Sequence, residues 1–154
     1  MNEMSMAARL ERLEAIEAIR ELKALYCRYC DDNYNPDKLA TLFTEDAVWA
    51  AAHRGKMVGR PAIHQWFAGI SSKIPFAAHL VMNEQISIEG ERGSGRWRMV
   101  MAAMENQGGG PKAVWSLGDY DETYVRQEGR WLISSLVVSI DLLDPETGVW
   151  TRRR

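Results

Sequence analysis

The sequence predicts an α+β fold in which helices come first and a long antiparallel sheet follows. Apolar side chains near the N-terminus recur at three- and four-residue steps, which is the period of an amphipathic helix. After Pro75 the chain is rich in β-branched and aromatic residues, in long segments divided by glycines, as is typical of strands joined by turns. Because the helices precede the strands instead of alternating with them, we expect them to cover one face of a curved sheet.

The first helix is the strongest local signal. Ser5 can cap a helix that begins near Met6, and the turn-forming residues 33–36 end it near Asp32. Arginine, glutamate and lysine separate its apolar residues, as in a helix that buries one face. The apolar stripe consists of Leu10, Leu13, Ile16, Ile19, Leu22, Leu25, Tyr26 and Tyr29.

Shorter elements follow this helix. Pro36 suits the first turn of a short helix that reaches Phe43. The next predicted elements are a turn at 44–46, a short strand at 47–50, a second short piece between Gly55 and Gly59, and a helix that begins at Pro61 and includes Ile63, Trp66, Phe67 and Ile70.

The predicted sheet is built from long strands in the second half of the chain. These strands are Phe76 to Ile88, Gly95 to Asn106, Ala113 to Gln127 and Arg130 to Leu142. Residues 108–111 have the composition of a hairpin loop, and Glu128 with Gly129 that of a tight turn. A long sheet covered by helices on one face can curl into a pocket, and such pockets bind small molecules.

Length, charge and cysteine content narrow the class of protein. The 154 residues fit one domain, 1–154, and a net charge of −2 gives no reason to expect a nucleic-acid partner. No apolar stretch suits a membrane span or a signal segment, so we expect a cytoplasmic protein. Cys27 and Cys30 lie within the first helix and are expected to be buried free thiols. The terminal Arg152–Arg154 run is expected to fray and to have no function.

Several motifs along the chain resemble one family. They are Tyr26–Asp31, Leu39–Trp49, Gly59–Ile63 with Trp66 and Phe67, and Gly118–Arg126 with Gly129–Trp131. Together they are similar to the SnoaL-like branch of the NTF2-like superfamily over residues 8–141, with 142–154 as a tail. The resemblance implies a cone-shaped fold, in which a curved, mostly antiparallel sheet wraps around the long N-terminal helix and the shorter helices and encloses a pocket. The superfamily contains dehydratases, dehydrohalogenases, isomerases, polyketide cyclases and non-catalytic proteins.

The same resemblance implies an acid–base pair. Scytalone dehydratase, bile-acid dehydratases and hexachlorocyclohexane dehydrochlorinase have an aspartate at the end of the first long helix and a histidine on the first long strand, where Asp31 and His79 stand here. Tyr26 matches a tyrosine of the bile-acid dehydratases and a lysine of the dehydrochlorinase. Leu136 replaces the dehydrochlorinase arginine, and the second histidine of scytalone dehydratase is missing, with Trp115 or Leu117 near its place. The substrates of these enzymes therefore do not transfer to this chain.

The candidate pair suits proton transfer. If Asp31 accepts a hydrogen bond from one ring nitrogen of His79, the other nitrogen is free to act as a base. Tyr26 could donate a proton to a hydroxyl or carbonyl group, with Tyr29 as a competitor for that role. The alternative is structural, since a buried histidine and carboxylate can form a pair that only satisfies their hydrogen bonds.

Ligand contacts are expected from aromatic and apolar residues around this pair. The candidates are Tyr29, Trp49, Trp66, Phe67, Asn83, Trp97, Met99 and Trp115, of which Asn83 comes from the resemblance. At least half of such apolar residues are expected to be plain packing. His53, His64 and His79 lack the spacing of a metal site, so neither a metal nor another cofactor is expected.

The leading functional hypothesis is a cofactor-independent, dehydratase-like lyase or isomerase that acts on an alicyclic, aromatic or steroid-like molecule. One alternative is a non-catalytic module that binds a small hydrophobic molecule. Another is an accessory subunit resembling the small subunit of aromatic-ring-hydroxylating dioxygenases. A homo-oligomer is also expected, because a curved sheet of this type leaves an apolar outer face and relatives form trimers or dimers.

Overall fold

A long helix opens the chain and long strands close it in the computed structural model, which describes residues 5–106, 108–144 and 151–152. The helices are α1 (Met6–Asp31), α2 (Pro36–Ala40) and α3 (Arg60–Ile70). The strands are β1 (Phe43–Ala51), β2 (Gly55–Val58), β3 (Phe76–Glu89), β4 (Arg92–Asn106), β5 (Pro111–Gln127), β6 (Arg130–Asp144) and β7 (Thr151–Arg152). The α+β class is therefore confirmed. None of the described helices is long and apolar enough to cross a membrane.

The strands form a single, mostly antiparallel sheet. Its order is β2-β1-β6-β5-β4-β3, and the two-residue β7 pairs with β6. Only β1 and β6 run parallel among the described pairs. Register shifts occur in β3 near Met82 and at two places between β5 and β6. Such bulges bend a strand and increase its twist, so they help the sheet to curve around α1.

Two predicted boundaries near the start of the sheet were wrong. The second helix ends at Ala40 rather than Phe43, and the predicted turn at 44–46 lies inside β1. Phe43 is drawn into the sheet because it pairs with Ile133 of β6. Its carbonyl also accepts hydrogen bonds from Arg60, at 3.0 and 2.7 Å. These contacts with distant parts of the chain override the local turn preference of Thr-Glu-Asp.

The first helix matches its predicted bounds, but its buried face starts later than predicted. The Ser5 hydroxyl accepts a hydrogen bond from the amide of Ala8, as an N-cap does. Leu10 and Leu13 are 56% and 63% exposed, so they do not belong to the core. The buried residues of the helix are Ala15, Ile19, Leu22, Lys23, Tyr26, Cys27 and Cys30. The tail predicted from 142 differs too, since 142–144 continue β6, and Arg153 and Arg154 lie outside the described residues.

An ion pair lies inside the core between α1 and β5. The side chains of Lys23 and Glu122 are both 0% exposed, and Lys23 Nζ donates to Glu122. The ammonium group also lies 3.3 Å from the ring centroid of Tyr120. Glu122 accepts a second hydrogen bond from the hydroxyl of Tyr124, which in turn accepts one from Trp97 Nε1 at 3.0 Å. The charges are therefore neutralised locally by a buried network.

Candidate active site

Asp31 and His79 form a close side-chain pair where α1 crosses β3. Asp31 is the last residue of α1, and His79 lies near the start of β3. The carboxylate oxygen Oδ1 of Asp31 lies 2.7 Å from Nδ1 of His79. The backbone N–H of His79 donates to both carboxylate oxygens, at 3.1 and 3.2 Å. The carboxylate is thus held by the same residue whose ring it orients.

The orientation of the imidazole follows from this contact. An ionised carboxylate only accepts hydrogen bonds, so Nδ1 of His79 carries the proton when the ring is neutral. Nε2 is then the basic nitrogen. The His79 side chain is 5% exposed and lines the cavity described next, whereas the Asp31 side chain is 34% exposed. Water therefore reaches the carboxylate more easily than the ring.

The cavity beside His79 is mainly apolar. Its lining residues come from α1, α3 and the inner face of the sheet, and include Trp49, Trp66, Phe67 and Met99. The space between the lining atoms is about 610 Å³ when the opening to solvent is counted. An aromatic cluster forms one wall of the cavity. The ring centroid of Trp49 lies 5.6 Å from that of Trp66 and 6.0 Å from that of Phe67.

Two tyrosines also face this space. The hydroxyl of Tyr26 accepts a hydrogen bond from Trp49 Nε1 at 3.0 Å. Burial raises the pKa of Tyr26 well above its usual range, so the phenol keeps its proton and can donate a hydrogen bond. Tyr34 was not among the predicted site residues. Its ring stacks on Phe67 and meets the ring of His79 edge-on, with 6.0 Å between centroids.

Local backbone geometry explains how Tyr34 reaches the cavity. Asn33 and Tyr34 both have left-handed conformations, with φ of 55° and 50°. They reverse the chain just after α1, and the side chain of Tyr34 is 5% exposed as a result. The sequence signal for residues 33–36 indicated a turn, but a turn signal does not say which side chain points inward.

Four predicted ligand contacts lie outside the cavity. Tyr29 is half-buried beneath Lys38, whose Nζ is 5.6 Å from the ring centroid. Trp97 is buried with Tyr124 in the core network. Trp115 is 48% exposed, because odd-numbered residues of β5 face outward in this stretch. Asn83 is exposed at the bulge of β3 with φ of 54°, so it no longer shares the inner face with His79.

The mouth of the cavity is polar. Arg54 Nη2 donates to Glu105 Oε1 at 2.8 Å, and both side chains are 21% exposed. Arg54 Nε donates to His53 Nε2 at 3.1 Å. Deeper in, Ser116 and Tyr120 line the cavity from β5. The two-residue period of a strand is the sequence signal that puts Ser116 and Tyr120 on one face of β5.

The structure offers no obvious metal site in its described part. No group of three or more histidine, cysteine, aspartate or glutamate side chains there is arranged to hold an ion. His64 instead pairs with Asp37 at 2.8 Å on the exposed side of α3.

Comparison with known proteins agrees with this fold. The family model for the SnoaL-like domain matches residues 11–137. The structure of a hexachlorocyclohexane dehydrochlorinase, LinA type 2, superposes on this chain with a TM-score of 0.84 at 19% sequence identity. The match covers 92% of this chain and 95% of the dehydrochlorinase chain. A protein from Novosphingobium aromaticivorans DSM 12444, proposed to be a scytalone dehydratase, matches with a TM-score of 0.79 at 20% sequence identity. That match covers 92% of this chain and 93% of the other.

A third structure carries a different proposed activity. It is a protein from Novosphingobium aromaticivorans proposed to be an aromatic ring hydroxylase, with a TM-score of 0.77 at 22% identity over 92% of this chain and 94% of its own. No curated protein matches the sequence. At these identities the structural similarities establish the shared fold and leave the activity to the site itself.

Proposed function

Because the chain belongs to the family of SnoaL-like domains, we propose that it is a cofactor-independent lyase or isomerase acting on a hydrophobic cyclic molecule. The proposal rests on one observation above all, the 2.7 Å contact between Asp31 and Nδ1 of His79 at the wall of an apolar cavity. This arrangement suits a general base whose orienting carboxylate stabilises the imidazolium that forms. Family members include dehydratases and dehydrohalogenases, so the chemistry is compatible with the fold.

The proposed reaction begins with proton transfer from carbon. Nε2 of His79 takes a proton from a C–H group next to an electron-withdrawing group, and the electron pair of that bond forms a double bond. In an elimination, the leaving group departs with its bonding electrons. A leaving oxygen accepts a hydrogen bond from the Tyr26 hydroxyl and takes the proton that imidazolium carries. In an isomerisation, imidazolium returns the proton to another carbon. An apolar wall strengthens the attraction between Asp31 and imidazolium, because little water screens it.

The test measures carbon acid chemistry without requiring the natural substrate. Cyclohexanone and 1-tetralone exchange the hydrogens next to their carbonyl groups slowly in D₂O, and NMR follows that exchange. We expect the protein to accelerate exchange for at least one cyclic ketone, His79→Gln to abolish the acceleration, and Asp31→Asn to reduce it about 10²–10⁴-fold. His64→Gln is the matched control, because His64 pairs with Asp37 on the exposed side of α3.

Melting temperatures separate catalysis from structure. If the pair is catalytic, His79→Gln folds with a melting temperature close to wild type but loses activity. Full exchange activity in His79→Gln would refute the proposal. Ligand binding without any exchange would favour a binding module, the second candidate, which the mainly apolar lining of the cavity also suits.

We also propose that the protein assembles into a homo-oligomer, a trimer or a dimer, through the outer face of the sheet. Phe76, Leu80 and Trp115 are 56%, 51% and 48% exposed there. Leu80 and Trp115 lie in adjacent cross-strand rows of β3, β4 and β5, so they form one patch. We expect light scattering to give an oligomer at micromolar concentration and Leu80→Lys/Trp115→Lys to give monomers. A wild-type monomer would refute this.

The cytoplasmic location stays a prediction.

A further inference from the structure

Ser116 presents a buried hydroxyl to the cavity without a hydrogen-bond partner in the protein. The residue is 1% exposed and lies on the inner face of β5. Its Oγ atom is the only buried side-chain nitrogen or oxygen in the described part of the chain that lacks a hydrogen bond. All other buried polar side-chain atoms of that part, including those of Lys23 and Glu122, are paired.

An unpaired buried hydroxyl is unfavourable for folding. Leaving such a group without a partner destabilises a protein, and native structures satisfy most of these groups. An alanine would fill almost the same volume without this disadvantage. The hydroxyl therefore has a physical reason to be present only if something that enters the cavity bonds to it.

The position of Ser116 relative to His79 is fixed by the sheet. His79 pairs with Met101 across β3 and β4, and Met101 pairs with Ser116 across β4 and β5. All three residues line the cavity. Neighbouring strands lie about 4.8 Å apart, so the Cα atoms of His79 and Ser116 are separated by roughly 10 Å along the sheet. Both side chains point inward from a curved sheet, so a molecule of one or two rings can contact both.

We propose that Ser116 Oγ hydrogen-bonds a neutral oxygen, a carbonyl or a hydroxyl group, of a cyclic ligand whose reactive carbon lies at His79. A neutral group is favoured because the charged side chains nearest the cavity are already paired, Arg54 with Glu105 at the mouth and Asp31 with His79. An ionised ligand group at Ser116 would be transferred from water into an apolar space without a counter-charge, which is strongly unfavourable. The inference deepens the proposed function, on whose cavity it rests.

The experiment compares two probes of equal shape. Cyclohexanone and methylenecyclohexane differ only in having a C=O or a C=CH₂ group, and NMR titration gives their affinities for the protein. We expect wild type to bind the ketone more tightly than the alkene, and Ser116→Ala to reduce that ratio about three- to tenfold, the size of one neutral hydrogen bond. Affinity for the alkene should be unchanged. Ser116→Ala should also melt about 2–4 °C higher, because an unpaired buried hydroxyl is removed.

Three results would overturn the inference. They are an unchanged ketone-to-alkene ratio in Ser116→Ala, a lower melting temperature for that variant, and failure of wild type to bind either probe. His79→Gln, titrated in parallel, separates this inference from the proposed function. A ketone preference that depends on Ser116 and survives in His79→Gln supports the inference even if no exchange is catalysed. Catalysed exchange with a preference independent of Ser116 would leave only the proposed function standing.

Discussion

Replacing Glu122 by glutamine tests the buried ion pair of the core. The substitution leaves the Lys23 ammonium, whose side chain is 0% exposed, without its charged partner. Breaking a buried pair on one side typically costs about 3–5 kcal/mol. The ring of Tyr120, 3.3 Å from Nζ, retains part of the stabilisation of the cation, since a desolvated cation–π contact contributes about 2 kcal/mol. We therefore expect a loss near the lower end, about 3 kcal/mol.

A double-mutant cycle shows whether this loss comes from the pair. Lys23→Met alone leaves the Glu122 carboxylate with only the Tyr124 hydroxyl and should also cost about 3–5 kcal/mol. Removing both charges together should cost much less than the sum, because neutral replacements of buried pairs are often tolerated. We expect a coupling energy of at least about 2 kcal/mol.

Urea unfolding followed by circular dichroism gives these energies from the midpoint and slope of each transition. Lys38→Met is the control, because Lys38 forms an exposed pair with Asp32, with side chains 51% and 53% exposed. Exposed pairs contribute no more than about 1 kcal/mol. If Glu122→Gln costs as little as this control, or if the two single losses simply add, the buried pair does not stabilise the core as described.

Two further predictions concern packing and titration. Gly118→Ala should fail to fold or lower the free energy of unfolding by several kcal/mol, because its new Cβ would lie 2.0 Å from the carbonyl oxygen of Ser139. Gly69→Ala is the control and should fold normally, because no other atom lies within 4 Å of the new Cβ. Thermal melts of both variants check this, and a stable Gly118→Ala would contradict it. Burial raises the pKa of Cys27 from 9.0 to about 11. The pKa of the thiol is higher in the folded state than in the unfolded state. The contribution of this difference to the free energy of unfolding is therefore complete below pH 9 and is lost towards pH 11. The melting temperature should fall more steeply between pH 9 and pH 11 in wild type than in Cys27→Ala. If both proteins lose melting temperature equally with pH, the pKa of Cys27 is not raised as described.

Local patterns predicted the elements well because helix and strand periods are set by nearby residues. The bounds of α1 follow from Ser5 and the turn after Asp31. The contact between Asp31 and His79 was anticipated from the resemblance, which places one residue at a helix end and the other on a strand.

Long-range effects limited the rest of the prediction. The bulge in β3 reverses the alternation after Met82, so Asn83 points away from the cavity. Lys23 and Glu122 are charged residues far apart in sequence, and charged side chains are normally solvated, so nothing local identified them as a buried pair. Tyr34 reaches the cavity through a left-handed turn whose direction no pattern specifies.

The place of β6 in the sheet has a consequence for biosynthesis. This last long strand lies between β1 and β5, so it is inserted into the middle of the sheet. While a ribosome is still adding residues 130–144, β1 and β5 each have an open edge of unpaired backbone groups, and open edges favour association with other chains. Pairing such as that of Phe43 with Ile133 forms only after β6 has emerged. Folding is therefore completed late, and a nascent chain that stops before Arg130 is expected to aggregate.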